Sequence, residues 1–174
     1  MTAKNSPTSS TFENELRLLS RANELPLYEF DPFDESFFLE WSLLDVRLVA
    51  FRSRIGVLVA SWGETEPVNS ALLIGDGVLG IHVAGPRQVN ELTAWTMGRT
   101  SFAESQAGSS LQLLDINDAD NKIEIAAKRI EIRLGYCAVL RSPQPDFVDL
   151  SPEDAMKATP NWASAFQPTF AAAR

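Results

Sequence analysis

The chain has 174 residues, 45% apolar and 22% charged; a chain of that length buries about two thirds of its unfolded surface, which excludes wholesale disorder. Fifteen Lys and Arg against 23 Asp and Glu leave a net charge of −8, the wrong sign for direct nucleic-acid binding, which depends on neutralised phosphates. A single cysteine excludes an internal disulfide, and a single histidine excludes any site that needs two imidazoles.

Residues 1–10 are polar and small, with Pro7 and five Ser or Thr. They read as a flexible tail without the apolar stretch of a secretory signal. Residues 11–23 predict a short helix. Phe12, Leu16 and Leu19 share one face, and Glu13 and Glu15 favour the positive helix end. Pro26 and Pro32 prevent its continuation.

The β pattern begins near Phe37. Leu44, Val46, Leu48 and Ala50 face one way, with Asp45 and Arg47 opposite. Arg52, Ser53 and Arg54 read as a polar turn, and Ile55, Val57 and Val59 as the second arm of a hairpin. After a loop at 63–69, residues 70–74 and 77–84 predict two strands joined by a turn at Gly75, Asp76 and Gly77. Residues 92–97 predict a further strand, and the small, polar residues 100–110 predict a loop. Residues 111–116 and 122–127 form a hairpin about 117–121.

The apolar phase then changes. Ile123 and Ile125 are at odd positions, but Ile130, Ile132 and Leu134 are at even ones. A β-bulge or kink near 127–129 accommodates the change. Ile123, Ala127, Ile130 and Leu134 also have helical spacing, but the run of isoleucines favours a strand. Pro143 and Pro145 open a linker. Ser151, Pro152 and Asp154 start a second short helix, which Pro160 ends. Trp162, Phe166 and Phe170 should pack on the sheet, and residues 170–174 read as a loose terminus.

These elements predict a mainly β fold, α+β at most. It is an antiparallel sheet, sandwich or partly open barrel of about seven to nine strands with short N- and C-terminal helices. The expected organisation is a tail at 1–10, one domain at 11–142, and a C-terminal linker and helix at 143–174.

Tests for chemistry mostly fail. Gly75, Gly77 and Gly80 spell G-x-G-x-x-G, but residues 81–86 read as strand, where a pyrophosphate site needs a helix. Residues 115–120 resemble a calcium loop, but Ala119 stands at the fifth position, where a ligand is required, and Asp120 at the sixth, where glycine is required. His82 points away from Leu79, Ile81 and Val83 and reads as a surface or packed residue. Cys137 lies among apolar neighbours and reads as an inert buried thiol. The alternating charges of Lys128, Arg129, Glu131 and Arg133 read as a solvated face. No catalytic group, cofactor or metal is expected, and the chain reads as non-enzymatic.

The charge distribution is more informative. Residues 22–46 contain seven acids, Glu24, Glu29, Asp31, Asp34, Glu35, Glu40 and Asp45, and no Lys or Arg. Phe30, Phe33, Phe37, Phe38, Leu39 and Trp41 are interleaved with them. Either the aromatics dock on the core while the acids face water, or the segment is a contact surface for a basic protein. In the second case charge speeds encounter and aromatics supply affinity. The contact residues would be Asp31, Phe33, Asp34, Glu35, Phe37, Phe38, Glu40 and Trp41, within 28–45. The expected function is a non-enzymatic protein-binding module, of immunity type or an assembly component. The alternative is a small-ligand-binding or hydrolytic β-barrel with an interior pocket. Self-association through the aromatics or an edge strand would give a homodimer. No apolar run of about 18 residues predicts a membrane helix, and the lone cysteine suits a cytoplasmic location.

Three pieces also carry a resemblance: residues 44–48, residues 77–83 and residues 128–132. Their order and spacing resemble uncharacterised small β-rich bacterial proteins and some polymorphic-toxin immunity proteins. The pieces cover under one fifth of the chain. Immunity proteins of that type carry a His-Asp pair at the opening strand; here Leu44 precedes Asp45. The resemblance implies a β-rich fold and, for the immunity proteins, a toxin as partner.

Overall fold

A computed structural model describes residues 10–62, 67–84, 95–118, 120–140 and 150–174. The elements are β1 (Ser10–Thr11), α1 (Phe12–Arg17), β2 (Ser42–Val49), β3 (Arg54–Ala60), β4 (Ser70–Ala84), β5 (Trp95–Ser105), β6 (Gly108–Asp115), β7 (Lys122–Tyr136), α2 (Pro152–Ala158) and β8 (Ala165–Ala173). All strand pairings are antiparallel, in the order β1-β8-β7-β4-β3-β2-β5-β6. A second pairing of β6 with β7 closes a ring. Closure is weak between β2 and β5, which meet only at Ser42 with Thr96 and Leu43 with Trp95, so the ring is not a regular barrel. The mainly β antiparallel fold with two short helices is the expected class.

Strand β7 organises the ring. Its first half pairs with β6, its second half with β8, and both halves pair with β4. The predicted phase change is real and the segment is strand. Ile123, Ile125 and Ala127 lie in one core with Ile130, Ile132 and Leu134, so two residues, Lys128 and Arg129, separate the two inward sets. Opposite them Gly77 has φ 65°, and the β4 register slips between Val78 and Gly80. The expected turn at 75–77 is therefore a kink within one 15-residue strand. A glycine in the left-handed region can serve either purpose. Here both halves of β4 find the same long partner, and the chain continues.

The predicted loop at 100–110 is instead most of a hairpin. β5 and β6 pair from Thr100 with Leu113 to Ser105 with Gly108. Alternation turns Phe102 and Leu111 toward the core, while Ser101 and Gln112 share the opposite face. Ser101, Ala103, Ser105 and Ser110 lie on that more exposed face, while Thr100 and Ser109 are buried in the sheet, so the small polar residues belong to strands rather than a loop. The expected strand at 92–97 is described from Trp95 onward. The expected loop at 63–69 is described only from Pro67. The linker prolines Pro143 and Pro145 lie outside the described residues.

The C-terminus is not loose. Phe166 and Phe170 belong to β8, and Arg174 and Ile130 exchange backbone hydrogen bonds of 2.9 and 2.8 Å. Pro168 sits where the β7–β8 register shifts, a position that tolerates its missing N–H. The expected cap of α2 is present, with Ser151 Oγ accepting from the Asp154 N–H at 3.1 Å. At the other end Ser10 pairs with Phe166 inside the sheet; residues 1–9 of the expected tail lie outside the described residues.

The ring has two apolar layers. Ile55, Val57, Val59, Ala71 and Leu73 point into it. The intervening Leu58, Ala60, Leu72 and Ile74 point outward, where Phe12, Leu16, Trp162 and Phe166 cover them. Helix α1 is shorter than expected, ending at Arg17, and Leu19 is exposed instead of sharing its buried face. Two buried arginines explain the ending. Arg133 donates to the carbonyls of Glu15 at 2.6 Å and Leu19 at 2.8 Å. Arg54 donates to those of Leu16 at 2.9 Å and Leu18 at 2.6 Å. Helix-terminal carbonyls need partners, and these guanidiniums reward an unwound chain.

Charged residues of β3 and β7 are buried where exposure is expected. Arg54 is a buried strand residue that also pairs with Asp76 at 3.0 Å, and is not part of an exposed turn. Glu131 and Arg133 are buried, not a solvated face. The sheet face they share is covered by residues 15–21. Arg133 pairs with Glu131 at 2.7 Å and with Glu15 at 2.9 Å, and Arg21 pairs with Glu15 at 3.1 Å. Burial by itself raises the Glu131 pKa. The Arg133 charge and hydrogen bonds from Ser20, the Arg21 N–H and Arg133 outweigh it, so the carboxyl is held below its ordinary value.

A depressed folded-state pKa stabilises the protein above the unfolded carboxylate value, and that contribution is lost as pH falls through the folded one. Arg133→Met removes the guanidinium that Glu131 and Glu15 share, leaving Glu15 only Arg21 as ion partner among the described residues, and should cost about 3–5 kcal/mol at neutral pH. The deficit should shrink as acid protonates Glu131. Urea titrations at pH 7 and pH 4 measure both; a deficit that grows on acidification contradicts the assignment.

Candidate functional site

The acidic segment between α1 and β2 folds as successive turns against β5. Asp31 accepts from the Phe33 N–H at 2.9 Å, and Asp34 accepts from the Ser36 N–H at 2.9 Å and hydroxyl at 2.7 Å. These Ser36 contacts hold the Asp34 carboxyl below its ordinary pKa. The backbone then bonds to β5 at Glu40 to Met97 (2.8 Å), Met97 to Trp41 (2.7 Å) and Thr100 to Glu35 (3.0 Å). The segment thereby occupies the edge of β5 that β2 does not reach.

Its side chains are sorted by chemistry. Phe38 is 1% exposed and Phe33 8%, both within the ring core. Phe37, Trp41 and Tyr28 are half-buried against it. Ring centroids lie 4.8 Å apart for Phe37 and Phe38, 5.2 Å for Phe38 and Trp41, and 4.7 Å for Phe33 and Phe102, spacings typical of favourable aromatic pairs. Arg174 lies over Phe33 and Phe102 and pairs with Asp31 at 2.6 Å.

Of the eight expected contact residues, the four acids Asp31, Asp34, Glu35 and Glu40 face water. Phe33 and Phe38 are core residues, closed to a partner. Phe37 and Trp41 expose only part of their rings. The aromatics dock on the core while the acids face water. Two further side chains have the exposure that the expected anchors lack: Phe30 at 61% and Leu39 at 48%. Residues 37–40 are turns, and adjacent Phe37 and Phe38 both pack on the core, so strand alternation gave no signal for an outward Leu39. Glu40, with φ 66°, turns the chain between Leu39 and the returning Trp41. Asp45, the last acid of the run, is structural; it accepts from the Trp162 indole N–H at 2.6 Å.

A second feature lies on the face of β4, β7, β6 and β5 that points away from the core. His82 pairs with Glu124, Glu124 with Gln112, and Gln112 with Ser101, so the four stand in one line across four strands. They border a groove of about 530 Å³ floored by Gly80, Ala126 and Ser110. Ser101 donates to Gln112 at 3.2 Å, and Gln112 donates to Glu124 at 2.7 Å. Lys122 donates to the same Glu124 oxygen at 3.0 Å. The Lys122 hydrogen bond, opposed by burial and aided by Gln112 and the His82 charge, holds the Glu124 carboxyl below its ordinary pKa.

The ring interior is filled by Phe33, Phe38, Met97, Leu113 and their neighbours, so this groove is not the expected interior pocket. The G-x-G-x-x-G run lies within β4, with a Cβ at Gly75 2.8 Å from Ile55. Cys137 is fully buried, and burial raises its pKa despite backbone bonds from Val139 and Leu140. Among the described residues no group of three or more His, Cys, Asp or Glu could hold a metal ion. No protein-family model, curated protein or solved structure matches this chain.

The sorting of adjacent side chains is measurable. Phe38→Ala should cost about 3–5 kcal/mol, as for other buried aromatics. Leu39→Ala should stay within about 0.5 kcal/mol. Equal effects in chemical denaturation would show that the segment is not part of the core.

Proposed function

We propose that the chain is a non-enzymatic binding module that captures a basic protein partner on the water-facing side of residues 28–45. The observation that carries this reading is the sorting within the segment. Phe30 and Leu39 are exposed amid Glu29, Asp31, Asp34, Glu35 and Glu40. Phe33 and Phe38 hold the backbone from beneath. Apolar anchors within a field of one sign suit a basic amphipathic surface: charge steers the encounter and the anchors supply buried area. A segment already fixed against β5 loses little freedom on binding. Glu29, Asp34 and Glu40 make no ion pair among the described residues, so their charge is available to a partner.

A toxin neutralised in the manner of immunity proteins is one partner of this kind, in line with the partial resemblance; a basic subunit of an assembly is another. A homodimer through this face is disfavoured, because like charges would meet across the axis. A cytoplasmic location agrees with the reduced, buried Cys137.

A synthetic Lys/Leu amphipathic peptide tests the surface by amide-shift titration. The expected result is saturable, salt-weakened binding with shifts centred on 29–40. Binding should be lost in the Glu29→Lys, Phe30→Ser, Glu40→Lys triple variant at unchanged melting temperature. Shifts spread over every acidic surface, or undiminished binding by the variant, would refute the proposal.

A further inference from the structure

We propose that the groove on the outer face of β4, β7, β6 and β5 binds a neutral saccharide of one or two rings, independently of the acidic surface. Its polar line runs His82, Glu124, Gln112, Ser101. Neighbouring strands are about 4.8 Å apart, so the line spans roughly 14 Å. Internal hydrogen bonds orient it: Ser101 to Gln112, Gln112 to Glu124 and Lys122 to Glu124. All three use Gln112 Oε1 or Glu124 Oε1 as acceptor.

The remaining valences are complementary to hydroxyl pairs. Glu124 Oε2 accepts no hydrogen bond from another described residue. The second N–H of Gln112 Nε2, the Ser110 hydroxyl and the ring nitrogens of His82 likewise make none. An acceptor therefore stands beside donors, one strand spacing away on either side. Two neighbouring hydroxyls of a sugar ring satisfy that set, one donating to Glu124 Oε2 and the other accepting from Gln112 or His82.

Charge selects the ligand class. Lys122 neutralises Glu124, so the pair offers no net charge to an ion. An anionic ligand meets a carboxylate, and a cationic one meets a carboxylate already holding an ammonium. The floor is small and open, since a Cβ on Gly80 would meet nothing within 4 Å. The groove, about 530 Å³, is of a size that small ligands occupy. Because every polar group stands on a strand, the line is preorganised.

The same openness at Gly80 makes the test clean. Maltose and cellobiose are titrated into isotope-labelled protein, with glucose 6-phosphate and lysine as charged comparators. At least one disaccharide should give saturable amide shifts at Gly80, Gln112 and Glu124. Its affinity should fall by about tenfold or more, roughly one hydrogen-bonded contact, in Gly80→Leu, which fills the groove, and in Glu124→Gln. Melting temperature checks the fold, and Ser110→Val obstructs the same floor should Gly80→Leu not fold. Absence of saturable shifts with both sugars, preference for either charged comparator, or full affinity in the obstructed variants would overturn the proposal.

Discussion

A single buried guanidinium ties the first part of the chain to the middle of the sheet. Arg133 is 1% exposed, and its N–H groups meet the Glu131 and Glu15 carboxylates and the carbonyls of Glu15 and Leu19. Buried ion pairs are weak evidence for stability, because desolvation offsets the attraction. Their effect here is to fix the path of the chain. With four donors satisfied by residues 15–19 and Glu131, helix α1 stops at Arg17 and the chain that follows is held to the side chains of β7. Arg54 repeats the device on the carbonyls of Leu16 and Leu18. Phe12 and Leu16 are thereby set over Leu58 and Leu72, which gives the outer apolar layer its cover.

The phase change in β7 makes the same strand serve two purposes. In its second half the outward residues Glu131 and Arg133 are covered by the N-terminal segment. In its first half the outward residues Lys122, Glu124 and Ala126 are half-exposed, and Glu124, held by Lys122, and Ala126 line the groove. Both halves send isoleucines into one core. The acidic segment depends on the ring in a different way. It occupies the edge of β5 where β2 falls short, and Arg174 fastens it from the end of β8. The two candidate surfaces therefore stand on rigid supports made by distant parts of the chain.

Much of this was legible from residue pattern. The β2–β3 hairpin, the β6–β7 hairpin, the cap of α2 and the phase change near residue 128 all follow from residue pattern. The expected common face of Leu44, Val46, Leu48 and Ala50 does not form: a register shift after Leu43 puts Leu44 against the outer layer and Val46 against the core, and Leu48 is exposed. The failures share a cause: a local signal was overruled by a distant partner. Gly77 has the freedom to make a turn, but β7 is long enough to pair on both sides of it. The small residues at 100–110 lack strand propensity by type, yet their inward alternates, Phe102 and Leu111, find the core. Glu131 and Arg133 look solvated because nothing local announces the Arg21 N–H, 110 positions from Glu131, or Glu15, 118 positions from Arg133, as their partners. The acidic segment was legible as a charge run, but which aromatics turned inward depended on β5. The groove line could not be read at all, since it requires the register of four strands.

The central claim is that the N-terminal segment is an integral part of the fold, held by Arg133 and Glu131. Native-state hydrogen exchange at the Arg21 amide tests it most directly. That N–H donates to Glu131 Oε1 at 2.9 Å and is outside any helix or strand. If the clamp opens only with the whole molecule, Arg21 should exchange with the free energy and denaturant dependence of the Ile132 and Leu134 amides in β7. Exchange of Arg21 through a small local opening, orders of magnitude faster than β7 and insensitive to denaturant, would contradict the account.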